Sequence, residues 1–467
     1  MALLIVLIVI IVLAIIYIAL VLALRQPYLN LRFDYRKLKA IPWKFGKDFL
    51  WGSATAAYQV EGHCYNTNWF QFESAVDARG KPKILEGQKA GAACDEWNLY
   101  KEDISLMKDL GLNSYRFSVE WSKIEPKPGE FDQSVLDHYS DFVDDLIKNG
   151  IEPMVTLHHF TDPIWFSEKG GFLQEESVAI FTRFAEKVAQ RLASRVKLWC
   201  TINEPSIYAI FGYFVGEFPP AGTDPKQAAK VYLNMLRSHV AVYNAIKKIQ
   251  PDSKVGLVVH IALFDPPHKW NLLDVIIAKL LNTSMNESHF QFLTTGQFKF
   301  SIPGMVSESF TMPEKEAYDY IGLNYYTDHY RLFKPFGKEM FVEITKSPKE
   351  ELTDMGWEIY PEGLYRSIKM IQRYTPKPIY ITENGIADEK DTKRAKYIED
   401  HLLVINKAIA DGADIRGYYY WSLMDNFEWA HGFSKRFGLY HTDFATQKRT
   451  LYEGSKKYKE IIEASRK

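Results

Sequence analysis

Two glutamates occupy matching positions in two otherwise unlike stretches of this chain. Glu204 follows Trp199-Cys200-Thr201-Ile202-Asn203 and precedes Pro205, while Glu383 follows Ile379-Tyr380-Ile381-Thr382 and precedes Asn384-Gly385. Each closes a short, mostly apolar run of strand character, so each carboxyl group falls where a strand gives way to a loop. Two carboxyl groups about 5–5.5 Å apart have a defined chemistry on sugars: one attacks the anomeric carbon, the other protonates the departing oxygen and later activates water. Either glutamate alone could equally be a surface or helix-cap residue. Finding both in the same setting favours a working pair.

Other chemistries fit less well. His158 and His159 are adjacent on a strand, so their rings point to opposite faces and cannot share one ion from there. No His-x-x-x-His pair and no Gly-x-Ser-x-Gly elbow occurs, which argues against a catalytic metal and a serine nucleophile. No cofactor is expected. The three cysteines, Cys64, Cys94 and Cys200, match no metal spacing and suggest free buried thiols rather than a disulfide framework. The segment from Trp421 to Trp429 reads either as an aromatic core loop or as a sugar site. In the second reading Glu428 receives hydroxyls beside the Trp429 ring.

Something must hold these groups in place, and eight candidate strands do so at residues 50–56, 114–119, 152–157, 196–202, 254–260, 318–324, 378–382 and 415–421. Their apolar runs suit strands buried on both faces. Helical patterns at 97–110, 135–148, 175–192 and 393–409 alternate with them. Repeated β-then-α units without a Gly-rich nucleotide loop predict an α/β protein, a (β/α)8 barrel, whose working residues gather where strands end. Polar residues do cluster there: Gln59, Glu61, Arg116, His158, His159, Asn203, Asn324, Tyr326 and Asn384, with Trp421 closing the last strand. Burying so many polar groups costs several kcal/mol each unless partners satisfy them.

The N-terminus is different in kind. From Ala2 to Leu24 every side chain is apolar except Tyr17, a stretch that as helix reaches roughly 30–35 Å, about one hydrocarbon core. No basic leader or cleavage site marks it as a signal peptide, so one retained anchor is expected. Arg25, Arg32, Arg36, Lys37, Lys39, Lys44 and Lys47 follow it and no cation precedes it, which places the large domain on the cytoplasmic side. The expected organisation is an anchor at 1–25, a basic juxtamembrane connector at 26–45 and one catalytic domain at 46–467. Sequons at Asn282 and Asn286 matter only if that domain is translocated. With 57 basic against 58 acidic side chains, nothing suggests a grip on nucleic acid. The 15% aromatic content suits a large core and equally a cleft for sugar faces.

Seven ordered motifs carry a resemblance. They are Phe49–Gly62 (FLWGSATAAYQVEG), Tyr115–Ser122 (YRFSVEWS), Thr201–Pro205 (TINEP), Gly322–Tyr326 (GLNYY), Ile381–Gly385 (ITENG), Trp421–Trp429 (WSLMDNFEW) and Arg436–Leu439 (RFGL). Across almost all of residues 45–460 the chain resembles glycoside hydrolase family 1, the β-glucosidase/β-galactosidase-type enzymes. The resemblance implies hydrolysis with net retention, Glu204 as acid/base and Glu383 as nucleophile. It implies that Gln59, His159, Asn203, Glu428 and Trp429 hold the first sugar over Trp421, while Arg116, Asn324 and Tyr326 surround the nucleophile. His158 would then pack behind the site. Relatives acting on 6-phosphorylated sugars have Ser where Glu428 stands, so non-phosphorylated β-glycosides are the expected substrates. The anchor departs from the mostly soluble family and is similar to plant members that move galactose between galactolipids. Glycolipids are therefore possible substrates or acceptors, and a sugar-binding barrel without catalysis is the reading of another class.

Overall fold

The computed structural model describes residues 1–302, 305–333, 342–345 and 351–466. Eight strands appear within two or three residues of their expected bounds: β1 Leu50–Ala54, β2 Ser114–Ser118, β3 Glu152–His158, β4 Leu198–Asn203, β5 Lys254–His260, β6 Tyr320–Asn324, β7 Ile379–Asn384 and β8 Ile415–Trp421. All pair in parallel and close into a barrel in the order β1-β8-β7-β6-β5-β4-β3-β2. The expected (β/α)8 architecture is the observed one.

Helices cover the outside because each has one apolar face. Glu96–Asp109, Gln133–Lys148, Ser177–Leu192 and Arg394–Ala410 match the helical patterns in the sequence. Asp132 starts one of them, its side chain accepting from Ser134 N at 2.9 Å and Val135 N at 3.3 Å. Inside the barrel, small residues meet large ones. Gly256 on β5 makes room for the Tyr320 ring of β6, which a Cβ there would approach to 2.5 Å. Tyr320 then reaches past it to donate to Trp199 O on β4 at 2.9 Å. Adjacent strands are interlocked by shape as well as by their ladders.

Two irregularities bear on the site. β7 continues through Glu383 and Asn384, two residues beyond the expected end, and its register with both neighbours shifts after Ile381. β4 shifts against β5 between Cys200 and Asn203. Such bulges re-aim side chains, and here they lie next to the two glutamates.

At the N-terminus, Ala2–Leu24 forms one helix, long and apolar enough to cross a membrane by length and composition. Residues 26–45 then run along the barrel. Asp34 caps the short helix Tyr35–Lys39, Leu38 is buried, and Lys39 Nζ and Lys44 N bind Glu399 and Asn406 at 2.8 and 2.7 Å. The three cysteines are free and buried. Both sequon asparagines are buried as well. Asn282 bonds Phe264 O at 2.7 Å and Asn286 bonds Ala262 O at 2.8 Å, so the folded chain presents neither amide for glycosylation.

Candidate active site

Glu204 directly follows β4 in the left-handed region, φ 46° and ψ 61°, immediately before Pro205 opens the helix Pro205–Ile210. That conformation strains a residue with a Cβ by about 1 kcal/mol or more, and such strain persists where surroundings over-determine it. Its amide donates to Val258 O of β5 at 2.9 Å, and its Oε1 accepts from Asn324 Nδ2 at 2.6 Å. Three strands further round the ring, Glu383 takes a different set of partners. Arg116 Nη1 donates to its Oε1 at 2.6 Å and the Tyr326 hydroxyl to its Oε2 at 2.7 Å. Both carboxyl groups are buried.

The two are joined through amides whose orientation the network fixes. Thr382 Oγ1 donates to Asn324 Oδ1 at 2.7 Å, which turns Asn324 Nδ2 toward Glu204 and toward Asn203 Oδ1, 3.1 Å away. Asn203 Oδ1 also accepts from Arg116 Nη2 at 2.7 Å, so its Nδ2 faces His159 Nε2 at 3.1 Å. His159 must accept there, which leaves its proton on Nδ1. Burial and the nearby Arg116 hold the ring neutral, its pKa well below the usual range. Arg116 itself is fully buried and anchored further by Thr156 Oγ1 and Thr382 O at 3.2 and 3.1 Å.

A second group adjoins this network. Gln59 Nε2 donates to Asn426 Oδ1, Phe427 O and Glu428 Oε2 at 2.9, 2.8 and 3.3 Å, and Trp421 hydrogen-bonds to Glu428. The Trp429 ring stacks near His159, with centroids 6.0 Å apart, and is backed by Tyr58, Trp69 and Phe160. Trp421 lies 5.8 Å from His159. Gln59 Oε1 and His159 Nδ1 are buried without a protein partner, the state of groups kept for a ligand hydroxyl. Gly385 lets the wall close: a Cβ there would stand 1.9 Å from Trp421 O.

All three carboxyl groups are raised above the ordinary range, by burial first and then by different neighbours. Burial pushes Glu204 up to about 7, opposed mainly by the Asn324 amide. Burial also pushes Glu383 up to about 7, with Arg116 and Tyr326 pulling down and Glu204 pushing up. The contact cation and the phenol are partners that stabilise an ionised Glu383, and Glu204 has only the Asn324 amide in contact. Glu428 rises to about 8 through burial and the nearby Glu383 charge.

Every residue expected in the site is thus linked to it by hydrogen bonds or ring contacts, whereas three of the strand-end polar residues face elsewhere, among them Asn384, whose side chain bonds Tyr325 O, Tyr397 and Tyr418. Glu61 accepts from Tyr139 at 2.5 Å and Lys123 at 2.8 Å in a separate cluster. His158 points away from His159, as strand alternation requires, and binds Asp162 at 2.9 Å. No group of three metal-ligating side chains occurs among the described residues. Sequence reasoning missed Thr156, Thr382 and Asn426, which orient Arg116, Asn324 and Gln59. It also missed Trp357 and His260, whose rings lie 5.5 and 6.3 Å from Tyr326. Polar Thr156 and Thr382 inside apolar strands were the available signal.

Comparison with known proteins points to one family. The family model described as Glycosyl hydrolase family 1 matches residues 42–467. Beta-glucosidase A of Acetivibrio thermocellus is 34% identical over 445 residues, 90% of this chain and 98% of that protein. Among solved structures, a beta-glycosidase from Pyrococcus horikoshii superposes with TM-score 0.83 at 38% identity, covering 91% of this chain and 96% of that one. A beta-glucosidase from Thermotoga maritima in complex with glucoimidazole gives TM-score 0.83 at 32% identity, with 90% and 99% covered.

Proposed function

This chain belongs to glycosyl hydrolase family 1, and on that premise we propose that Glu383 is the nucleophile and Glu204 the acid/base in retaining hydrolysis of β-glucosides and β-galactosides. The observation that carries the assignment is the unequal company of the two carboxyl groups: Glu383 holds a cation and a phenol, Glu204 an amide. Glu204 gives its proton to the glycosidic oxygen as that bond breaks, and Glu383 bonds to the anomeric carbon. Glu383 thereby loses its charge, which lowers the pKa of Glu204. The ionised Glu204 then takes a proton from the water that displaces Glu383. Hydroxyl partners at Gln59, His159, Asn203 and Glu428 contribute most where their bonds tighten as the sugar distorts.

Non-phosphorylated glycones suit Glu428, which has no salt bridge among the described residues and so brings no cation to hold a phosphate. Glu383→Ala tests the assignment: it should abolish turnover, and added azide should restore it with formation of an inverted glycosyl azide. Azide rescue without inversion would refute Glu383 as nucleophile. Glu204→Ala should slow poor leaving groups far more than activated ones.

The helix Ala2–Leu24 serves as a single membrane anchor to the catalytic domain in this proposal, with residues 26–45 as the basic segment following it. The cations after the helix favour a cytoplasmic barrel. Protease protection of the barrel in sealed, right-side-out cell-membrane vesicles, and digestion in inverted ones, is the expected pattern. The anchor also favours a second reading, transfer or hydrolysis on glycolipids. Vesicles of glycolipid yielding free sugar only, at every acceptor concentration, would reject the transfer.

A further inference from the structure

We propose that Trp270 and the helix Leu272–Leu281 form a second membrane contact, which lays the β5 side of the barrel rim on the bilayer surface beside the anchor. The proposal rests on reading Ala2–Leu24 as that anchor. Leu272–Leu281 reads LLDVIIAKLL, and its one acid, Asp274, is buried against the body. Trp270 and Leu273 are 48% and 49% exposed, while Leu272, Ile276, Ile277, Leu280 and Leu281 are half-buried. Large apolar side chains grouped at the surface of a folded body mark a contact surface.

What covers it is indicated by its neighbour. The Tyr17 hydroxyl donates to Trp270 O at 2.5 Å, and the Arg25 guanidinium lies 5.4 Å from the Trp270 ring centroid. Tyr17 is about two turns before the end of the anchor, so the body meets the anchor along roughly 10 Å of its length. In a helix that spans one hydrocarbon core, those two turns run from the membrane interface roughly 10 Å inward, about the depth that an interfacial apolar face reaches. Whatever the body presses there enters the interface too, and this chain presents Trp, Leu and Ile. The flanking chemistry fits headgroups: Arg25 and the exposed Lys269 border the patch. A cavity of about 310 Å³ that begins at the next residue, Gln26, is lined also by Lys369 and Arg373. Tryptophan beside cations at one depth is the composition of a membrane-interface belt.

The patch is tied to the site. β5 ends at His260, whose ring faces Tyr326, and the following strand Leu263–Asp265 pairs with Asp328–Phe333 just after Tyr326. An amphiphilic glycoside held in the bilayer by its alkyl tail would therefore meet the Glu383 side of the mouth without leaving the membrane.

The test uses the full chain in phosphatidylcholine/phosphatidylglycerol vesicles. Failure to float with the vesicles would refute the anchor, and with it the proposal. In floated protein, lipids brominated near the glycerol backbone should quench wild-type tryptophan fluorescence more than that of Trp270→Phe. Equal quenching of the two in vesicle-bound protein overturns the second contact alone. Leu273→Glu combined with Ile277→Glu should slow hydrolysis of vesicle-borne dodecyl β-glucoside by about tenfold, with 4-nitrophenyl β-glucoside hydrolysis unchanged. If both rates stay unchanged, or if the double variant only dissociates a dimer, the patch is not a lipid contact. If both rates fall together through misfolding, the Trp270→Phe comparison decides.

Discussion

Tyr326→Phe removes one hydrogen bond and little else. The phenol donates to Glu383 Oε2 at 2.7 Å in a buried site, and the ring keeps its contacts with Trp357 and Phe437. A hydrogen bond to a charged group contributes about 1.5–3 kcal/mol. Arg116 stays at 2.6 Å on the other oxygen, so the lower end of that range applies. The donor stabilises the anion, and its loss favours the protonated form. At about 1.4 kcal/mol per pH unit, the acid limb of kcat/KM should move up by about one unit. An activated aryl β-glucoside keeps proton donation by Glu204 from limiting the rate. With it, the loss should be about tenfold at pH 6 and should shrink as the pH rises past the new limb. An acid limb that stays in place, or one that moves down, would refute the ionised nucleophile held by Tyr326.

The buried acids also predict a pH-dependent stability. Glu204 has a folded pKa of about 7 against an ordinary 4.5, so its burial destabilises the fold only where the unfolded chain is ionised. That penalty is absent below about pH 4 and complete above about pH 7, on the order of 3 kcal/mol. Glu204→Gln should therefore raise Tm by a few degrees at pH 8 and leave it unchanged at pH 4, measured by calorimetry. Glu96 and Asp103, pushed up to about 8 and 7 by burial, act with the same sign. Wild-type Tm should accordingly decline between pH 5 and 8. Gly385→Ala should cut kcat/KM strongly and lower Tm, because the added Cβ meets the Trp421 carbonyl at 1.9 Å and displaces the wall of the site. Normal kinetics in that variant would show that Trp421 is not held there.

The barrel, its eight strands and the positions of both glutamates were legible in the sequence because they are written locally. Apolar runs, helical periodicity and a polar residue at a strand end depend only on neighbours in the chain. The N-terminal helix was legible for the same reason. What surrounds each acid was decided only by closure of the barrel. Arg116 on β2 reaches Glu383 on β7 across 267 residues of chain, and Thr382 turns Asn324 toward Glu204. No local pattern encodes either contact. The bulges that re-aim Glu383, the burial of Asn282 and Asn286, and the docking of residues 26–45 on the helix Arg394–Ala410 have the same origin. Leu272–Leu281 shows the converse: its sequence is apolar almost throughout, and only the fold leaves Leu273 and the preceding Trp270 exposed. A sequence states what each residue can do within a few neighbours, whereas solvent exclusion and charge pairing are set by segments that meet only when the ring closes.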